Sequence, residues 1–216
     1  SRGLGDVYKR QVNQVFEFIE RPYTQIRFKE LLVSPNEMKN KFVTLINNEI
    51  KNKKAGKPAY IKIKINHITD PIMVEKLYEA SEAGVDIDLV VRGNCSLITN
   101  VPDVSTHIRI HGIIDRYLEH SRIFIFANGG EEKIYLGSAD WMPRNLDHRI
   151  EVITPVYDPA IKGEMKRIVE YGLKDTLQGR IVDGAGDNLF WSEETEEAPF
   201  RSQEALYNYY LAENEQ

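Results

Sequence analysis

Two alternating stretches on either side of a helical segment constrain this chain most. Ala59-Tyr-Ile-Lys-Ile-Lys-Ile-Asn66 alternates apolar and polar side chains without a break, which is the period of a strand. Val85-Asp-Ile-Asp-Leu-Val-Val91 is a second strand. Between them, Asp70-Pro71 supplies a capping carboxylate with proline at the first helical position. Ile72, Leu77 and Ala80 are expected to face inward, and Ala83-Gly84 stops the helix. Strand, helix and strand within about 30 residues form a βαβ unit, with parallel strands and a right-handed crossover.

The remaining sequence adds helices and strands around that unit. Val15, Phe16, Phe18 and Ile19 form an apolar helical face that stops at Arg21-Pro22. Ser34-Pro35-Asn-Glu37 reads as a capping box with proline just inside the helix. Met38, Phe42, Leu45, Ile46 and Ile50 then recur at three and four, which predicts a helix to about Asn52. Short strands are expected over 107–112, 121–127, 133–136 and 149–155, with Asn128-Gly-Gly130 as a hairpin turn. A helix is expected over 158–177 and another near 205–211. The fold class is therefore α/β, a mixed sheet with helices on its faces.

Composition removes several function classes. The 216 residues are 42% hydrophobic and 28% charged, as in an ordinary globular domain with a real core. The net charge of -5 speaks against a protein that coats nucleic acid. Cys95 is the only cysteine, so no intramolecular disulfide or multi-cysteine zinc site can form, which fits a reducing compartment. No apolar run approaches the roughly 20 residues of a membrane span, and no charged-then-apolar leader opens the chain.

The chemistry concentrates at strand ends. In open α/β sheets the carboxyl ends of strands border the ligand crevice. Arg92-Gly93-Asn94 stands at such an end. Its arginine either forks onto phosphate oxygens or closes the strand with a surface salt bridge. Asp115-Arg-Tyr-Leu-Glu-His120-Ser-Arg122 leads into a strand, where His120 and Arg122, two apart, share a face. Tyr135-Leu-Gly137-Ser138-Ala-Asp140 follows one hairpin later and can bring a hydroxyl and a carboxylate to that face. An imidazole, a guanidinium and a small polar turn are the groups that grip and move a phosphoryl group. The competing reading of His120 is a half-buried ring bonded to a carbonyl. Lys64 and Asn66 share a face with Lys62, which makes either a phosphate contact or a solvated strand face. Arg144, Asn145, Asp147, His148 and Arg149 form a pocket wall or an ion-pair network. His67, His107 and His111 lack ligand-like spacing, and no metal motif is present.

Several of these stretches carry a family resemblance. Phe28-Lys-Glu-Leu-Leu-Val-Ser34-Pro35, Ile63-Lys-Ile-Asn66, Leu77-Tyr-Glu-Ala-Ser-Glu-Ala-Gly84, Leu89-Val-Val-Arg92-Gly93, Asp115 to Arg122 and Ser138-Ala-Asp-Trp-Met-Pro-Arg-Asn145 are collinear over about residues 12 to 180. Together they resemble the carboxyl-terminal part of bacterial polyphosphate kinases of the long-chain type. The resemblance implies a phospholipase-D-like mixed sheet flanked by helices. It implies reversible transfer of the ATP γ-phosphoryl group to polyphosphate, with ATP, ADP and polyphosphate as partners and Mg2+ as cofactor. It implies a cytoplasmic protein that is a homo-oligomer at full length. By the same resemblance Arg92 binds nucleotide phosphate and His120 is the second active-site histidine. Lys64, Arg122, Ser138 and Asp140 are further candidates for phosphate contact.

Phospholipase-D enzymes carry His-x-Lys and Gly-Ser-x-Asn, where this chain has Arg122 and Asp140. The phosphorylated histidine and the magnesium-binding arginines of the family have no counterpart here, so the chain alone is expected to lack kinase turnover. The alternatives are a divergent phospholipase-D-like phosphodiesterase and a non-catalytic polyphosphate-binding or oligomerisation module. The expected organisation is a library scar over 1–11, the end of a preceding domain or linker helix over 12–30, the phospholipase-D-like domain over 31–180, and an acidic tail with a short helix over 181–216.

Overall fold

The two alternating strands lie at the centre of the sheet. In the computed structural model, which describes residues 4–183, 185–193 and 198–214, Tyr60–Ile65 (β2) and Asp86–Val91 (β3) run parallel, with Ile61 opposite Ile87 and Ile65 opposite Val91. The helix between them, Pro71–Glu82 (α3), is capped by Asp70, whose carboxylate accepts from the Met73 amide at 3.1 Å. Its inward stripe is Met73, Leu77 and Ala80, while Ile72 is exposed. A spacing of four and then three follows one helical face, and Ile72 sits a residue away from it.

Six more strands complete the sheet: Leu32–Ser34 (β1), Ile108–Ile113 (β4), Arg122–Phe126 (β5), Lys133–Gly137 (β6), Glu151–Val156 (β7) and Gly179–Ile181 (β8). The order is β1-β7-β6-β5-β2-β3-β4-β8, parallel from β2 through β4 and antiparallel elsewhere. Asn128, Gly129 and Gly130 turn the chain between β5 and β6, all at positive φ, which explains the Asn-Gly-Gly composition.

Helices cover both faces. Met38–Lys54 (α2) packs with α3 on one side, placing Met38, Phe42 and Ile46 in the main core. The Phe42 ring lies 4.8 Å from Phe124 and 5.1 Å from Trp141, centroid to centroid. Buried Glu49 of α2 also reaches the hairpin turn and accepts from the Asn128 amide at 2.7 Å. Pro159–Leu173 (α4) covers the other side and packs Val169 against Ile123, Ile125 and Ile134. The face that carries Lys62 and Lys64 is therefore not solvated. Lys62 lies 3.8 Å from Glu170 of α4, and Lys64 is 5% exposed.

Three local expectations change. Ser34 belongs to β1 and is followed by a cis Ser34-Pro35 bond, and its hydroxyl donates to the Asn145 carbonyl at 2.5 Å. Residue 37, not 34, therefore precedes α2, and no side chain caps it. Helix α4 stops at Leu173 because the Asp175 carboxylate accepts the Leu177, Gln178 and Gly179 amides at 3.1, 2.8 and 3.2 Å and turns the chain. Beyond 180 the chain is still part of the fold. It completes β8, and Ser202–Asn214 (α5) packs on α4, with the Arg167 guanidinium 3.8 Å from the Tyr209 ring centroid.

The first helix, Leu4–Glu20 (α1), runs through most of the stretch expected to be a library scar and continues into the expected helix over 12–19. Gln11 is buried there and accepts from the Glu30 and Leu31 amides at 2.9 and 3.0 Å. Phe18 meets Phe28 edge-on in a small second core, while Phe16 and Ile19 are exposed. Replacing Phe42 by alanine removes the ring shared by Phe124 and Trp141. Urea unfolding should show a loss of about 3–5 kcal/mol.

Candidate functional site

Register brings the polar segments to one edge. The parallel strands end at Ile65, Val91 and Ile113, and antiparallel β5, β6 and β7 place Arg122, Gly137 and Glu151 at the same edge. The loop after β2 ties its neighbours together. Asn66 O accepts from the Gly93 amide at 2.8 Å, His67 Nδ1 accepts from the Asn94 amide at 3.0 Å, and the Trp141 amide donates to His67 O at 3.1 Å. A β-carbon at residue 93 would collide with the His67 ring, so any larger residue after Arg92 would have to displace that ring from its bond to the Asn94 amide.

Arg122 and Asp140 interlock beneath this loop, both buried. Arg122 Nε and Nη2 donate to Asp140 Oδ1 and Oδ2 at 3.2 and 3.0 Å, and Nη1 donates to the His120 carbonyl at 2.9 Å. Asp140 Oδ1 also accepts from the Asn66 and His67 amides at 3.0 and 3.3 Å. Burial pushes the Asp140 carboxyl up, but the Arg122 hydrogen bond and charge, with the two amides, outweigh it and hold it below its ordinary value. These two groups thus join the end of β2, the start of β5 and the end of β6.

The polar groups at this edge do not all share one face. Lys64 pairs with Ile123 across the sheet, so Lys64 and Arg122 lie on opposite faces. Lys64 is held by Glu119. Ser138 turns to β7 and donates to Glu151 Oε2 at 2.5 Å, and Glu151 Oε1 accepts from Asn145 Nδ2 at 2.7 Å. Lys39 bridges Asp70 and Asp147 at 2.8 and 2.6 Å, which makes the segment after Trp141 partly an ion-pair network. His111 stacks on Trp191 at 4.3 Å, and burial lowers it to about 4. His107 pairs with Asp86 at 3.0 Å.

Arg92, Asn66 and His120 keep open donors. Arg92 Nε donates to Asn66 Oδ1 at 2.9 Å, and its terminal amino groups meet no partner among the described residues. Arginine can only donate, so this bond fixes the Asn66 oxygen toward it and turns the amide nitrogen away. That Nδ2 is buried without a partner. His120 is exposed, and no hydrogen bond holds its ring among the described residues. A small recess bounded by Lys64, Asn66, Arg92, Glu119 and Ser121 lies between the strand ends. Glu119 was invisible as a partner of Lys64 in the sequence, because only the sheet register brings them together. Among the described residues no three His, Cys, Asp or Glu side chains converge to hold a metal, and no helix is long and apolar enough to cross a membrane.

Comparison with known proteins identifies the family and the fold. A family model described as polyphosphate kinase C-terminal domain 2 matches residues 31–203. The polyphosphate kinase of Escherichia coli (strain K12) is 43% identical over 199 residues, covering 92% of this chain and 29% of that protein. The polyphosphate kinase of Yersinia pestis is 43% identical over 202 residues, or 94% of this chain and 29% of its own length. The crystal structure of polyphosphate kinase from Porphyromonas gingivalis matches with a TM-score of 0.88 at 41% identity, over 94% of this chain and 31% of that one. Nuc, a phospholipase D family member from Salmonella typhimurium, matches with a TM-score of 0.50 at 15% identity, over 72% of this chain and 97% of that one, a likeness of fold alone. The architecture is a phospholipase-D-like mixed sheet flanked by helices. The chain spans less than a third of the polyphosphate kinases it matches.

The Asp140 carboxyl is depressed, so its contribution to stability is present above the ordinary value of 3.8 and is lost as pH falls through the lower folded value. Asp140→Asn should cost about 3–5 kcal/mol at neutral pH, because Arg122 is left buried without a counter-charge. The variant should also lose less further stability than the parent on acidification. Urea unfolding across the acid range measures both.

Proposed function

The chain belongs to the polyphosphate kinase C-terminal domain 2 family, and on that premise we propose that its strand-end site binds phosphate in reversible transfer of the ATP γ-phosphoryl group to polyphosphate. The open donors carry this reading. The terminal groups of Arg92, the Asn66 amide nitrogen and the exposed His120 ring have no partner among the described residues. The carboxylates of Glu119, Asp140 and Glu151 at the same edge are already engaged. Such a site favours an anion rich in acceptors.

Phosphoryl transfer depends mainly on positioning and charge stabilisation. Arg92 would grip two oxygens of one phosphate with its terminal amino groups, and Asn66 Nδ2 would donate to the same anion. His120, protonated, would donate to the bridging or leaving oxygen as charge develops there and recover the proton in the reverse direction. Lys64, Arg122, Ser138 and Asp140 would act by shaping the edge, since each is engaged with a protein partner. In this reading the phosphoryl-carrying histidine and the ligands of Mg2+ belong to the part of the relatives this chain does not span. Magnesium would supply charge neutralisation at the phosphates. A cytoplasmic, homo-oligomeric parent goes with the same proposal.

A phosphodiesterase reading is disfavoured because Arg122, in place of the expected lysine, is committed to Asp140. Binding of polyphosphate without turnover describes what the chain does by itself. Titration calorimetry should show polyphosphate binding that weakens with salt. Arg92→Ala should weaken it about tenfold or more, because charged hydrogen bonds are lost. No ATP-dependent polyphosphate synthesis should accompany it. Unchanged binding by Arg92→Ala, or robust synthesis by the chain alone, would overturn the assignment.

A further inference from the structure

The segment from 114 to 121 carries Glu119 and His120, yet its apolar side chains anchor it poorly. Ile114 and Leu118 are each 77% exposed, and Tyr117 is 53% exposed. Polar contacts from the start of α5 hold it instead. Arg201 Nε and Nη2 donate to Asp115 Oδ2 and Oδ1 at 2.9 and 2.6 Å, a two-armed grip on a carboxylate that is itself buried. Gln203 accepts from the Tyr117 amide at 2.8 Å and donates to Tyr117 O and Glu119 Oε1 at 2.8 and 2.9 Å.

The residue between them faces the other way. Ser202 donates to Asp175 Oδ2 through its amide at 2.8 Å and its hydroxyl at 2.6 Å. Asp175 Oδ1 holds the turn that ends α4. Thr176 adds a second tie, its hydroxyl accepting from the Phe200 amide at 2.9 Å. Three consecutive residues therefore fasten the start of α5 to the α4 turn on one side and to the His120 segment on the other.

We propose that the start of α5 is a positioning clamp for the phosphate site, with the Arg201–Asp115 pair fixing the segment that presents His120. Arg201 and Asp115 are positioning residues and do not touch phosphate. The functional half of this inference rests on the phosphate reading of Arg92 and His120. The structural half stands on the hydrogen bonds alone. The Arg201 hydrogen bond is the leading cause that holds the Asp115 carboxyl below its ordinary value, so the carboxylate keeps its charge to lower pH than a free one would.

Hydrogen exchange on the full chain tests the structural half, and calorimetry with polyphosphate tests the functional half. In Arg201→Ala and in Asp115→Asn, amides 116–121 should exchange about tenfold faster, as expected when charged hydrogen bonds holding a local segment are lost. Amides of β2 and β5 should keep their parent rates. Polyphosphate affinity should fall about threefold to tenfold. The exchanged pair, Asp115→Arg with Arg201→Asp, should restore much of both losses, which a purely structural role for either residue alone would not produce. Unchanged exchange over 116–121 overturns the clamp, as does equal acceleration in β2 and β5. Faster loop exchange with parental affinity overturns its link to the site. If the parent chain binds no polyphosphate, the phosphate reading fails, and the exchange data still decide the clamp.

Discussion

The strand-end edge depends on the buried ion pair of Arg122 and Asp140. Its partners are not only each other. Asp140 takes two amides from the loop after β2, and Arg122 takes the carbonyl of His120. Removing one charge would leave the other buried without a counter-charge and free three strand ends at once. A hydrophobic replacement could fill the volume, but it could not supply these hydrogen bonds. The pair thus acts as a register device as well as a contact.

This explains how the edge can hold so many charged groups and still present open donors. Lys64 is neutralised by Glu119, Arg122 by Asp140, and Glu151 is satisfied by Ser138 and Asn145. Arg92 differs because its neighbour is an amide, not a carboxylate. Asn66 orients the guanidinium without cancelling its charge, as the proposed phosphate contact requires.

Local patterns made the fold largely legible. Alternation gave β2 and β3, the Asp70 cap gave the start of α3, and Asn-Gly-Gly gave the hairpin. Failures came where a distant partner decided the outcome. Ser34-Pro35 has the composition of a capping box, but Ser34 answers to Asn145 across the fold. Helix α4 ends early because the Asp175 carboxylate turns the chain through the next amides, and its other oxygen is held by Ser202, 27 residues on. Arg92 and His120 stand out as candidates from their surroundings in the sequence. That Arg122 and Asp140, 18 residues apart, would consume each other's hydrogen-bonding capacity depends on a strand register that no local pattern encodes.

The two rims of the sheet share a feature. Strand β1 at one end and β8 at the other are each three residues long. An eight-stranded sheet with long open borders would offer a template for strands of other molecules and a route to aggregation. Here each border offers only a few backbone groups, and the segments that supply them come from opposite ends of the domain. Deleting either segment would bare β7 or β4, both six residues long, and turn a protected rim into an adhesive one.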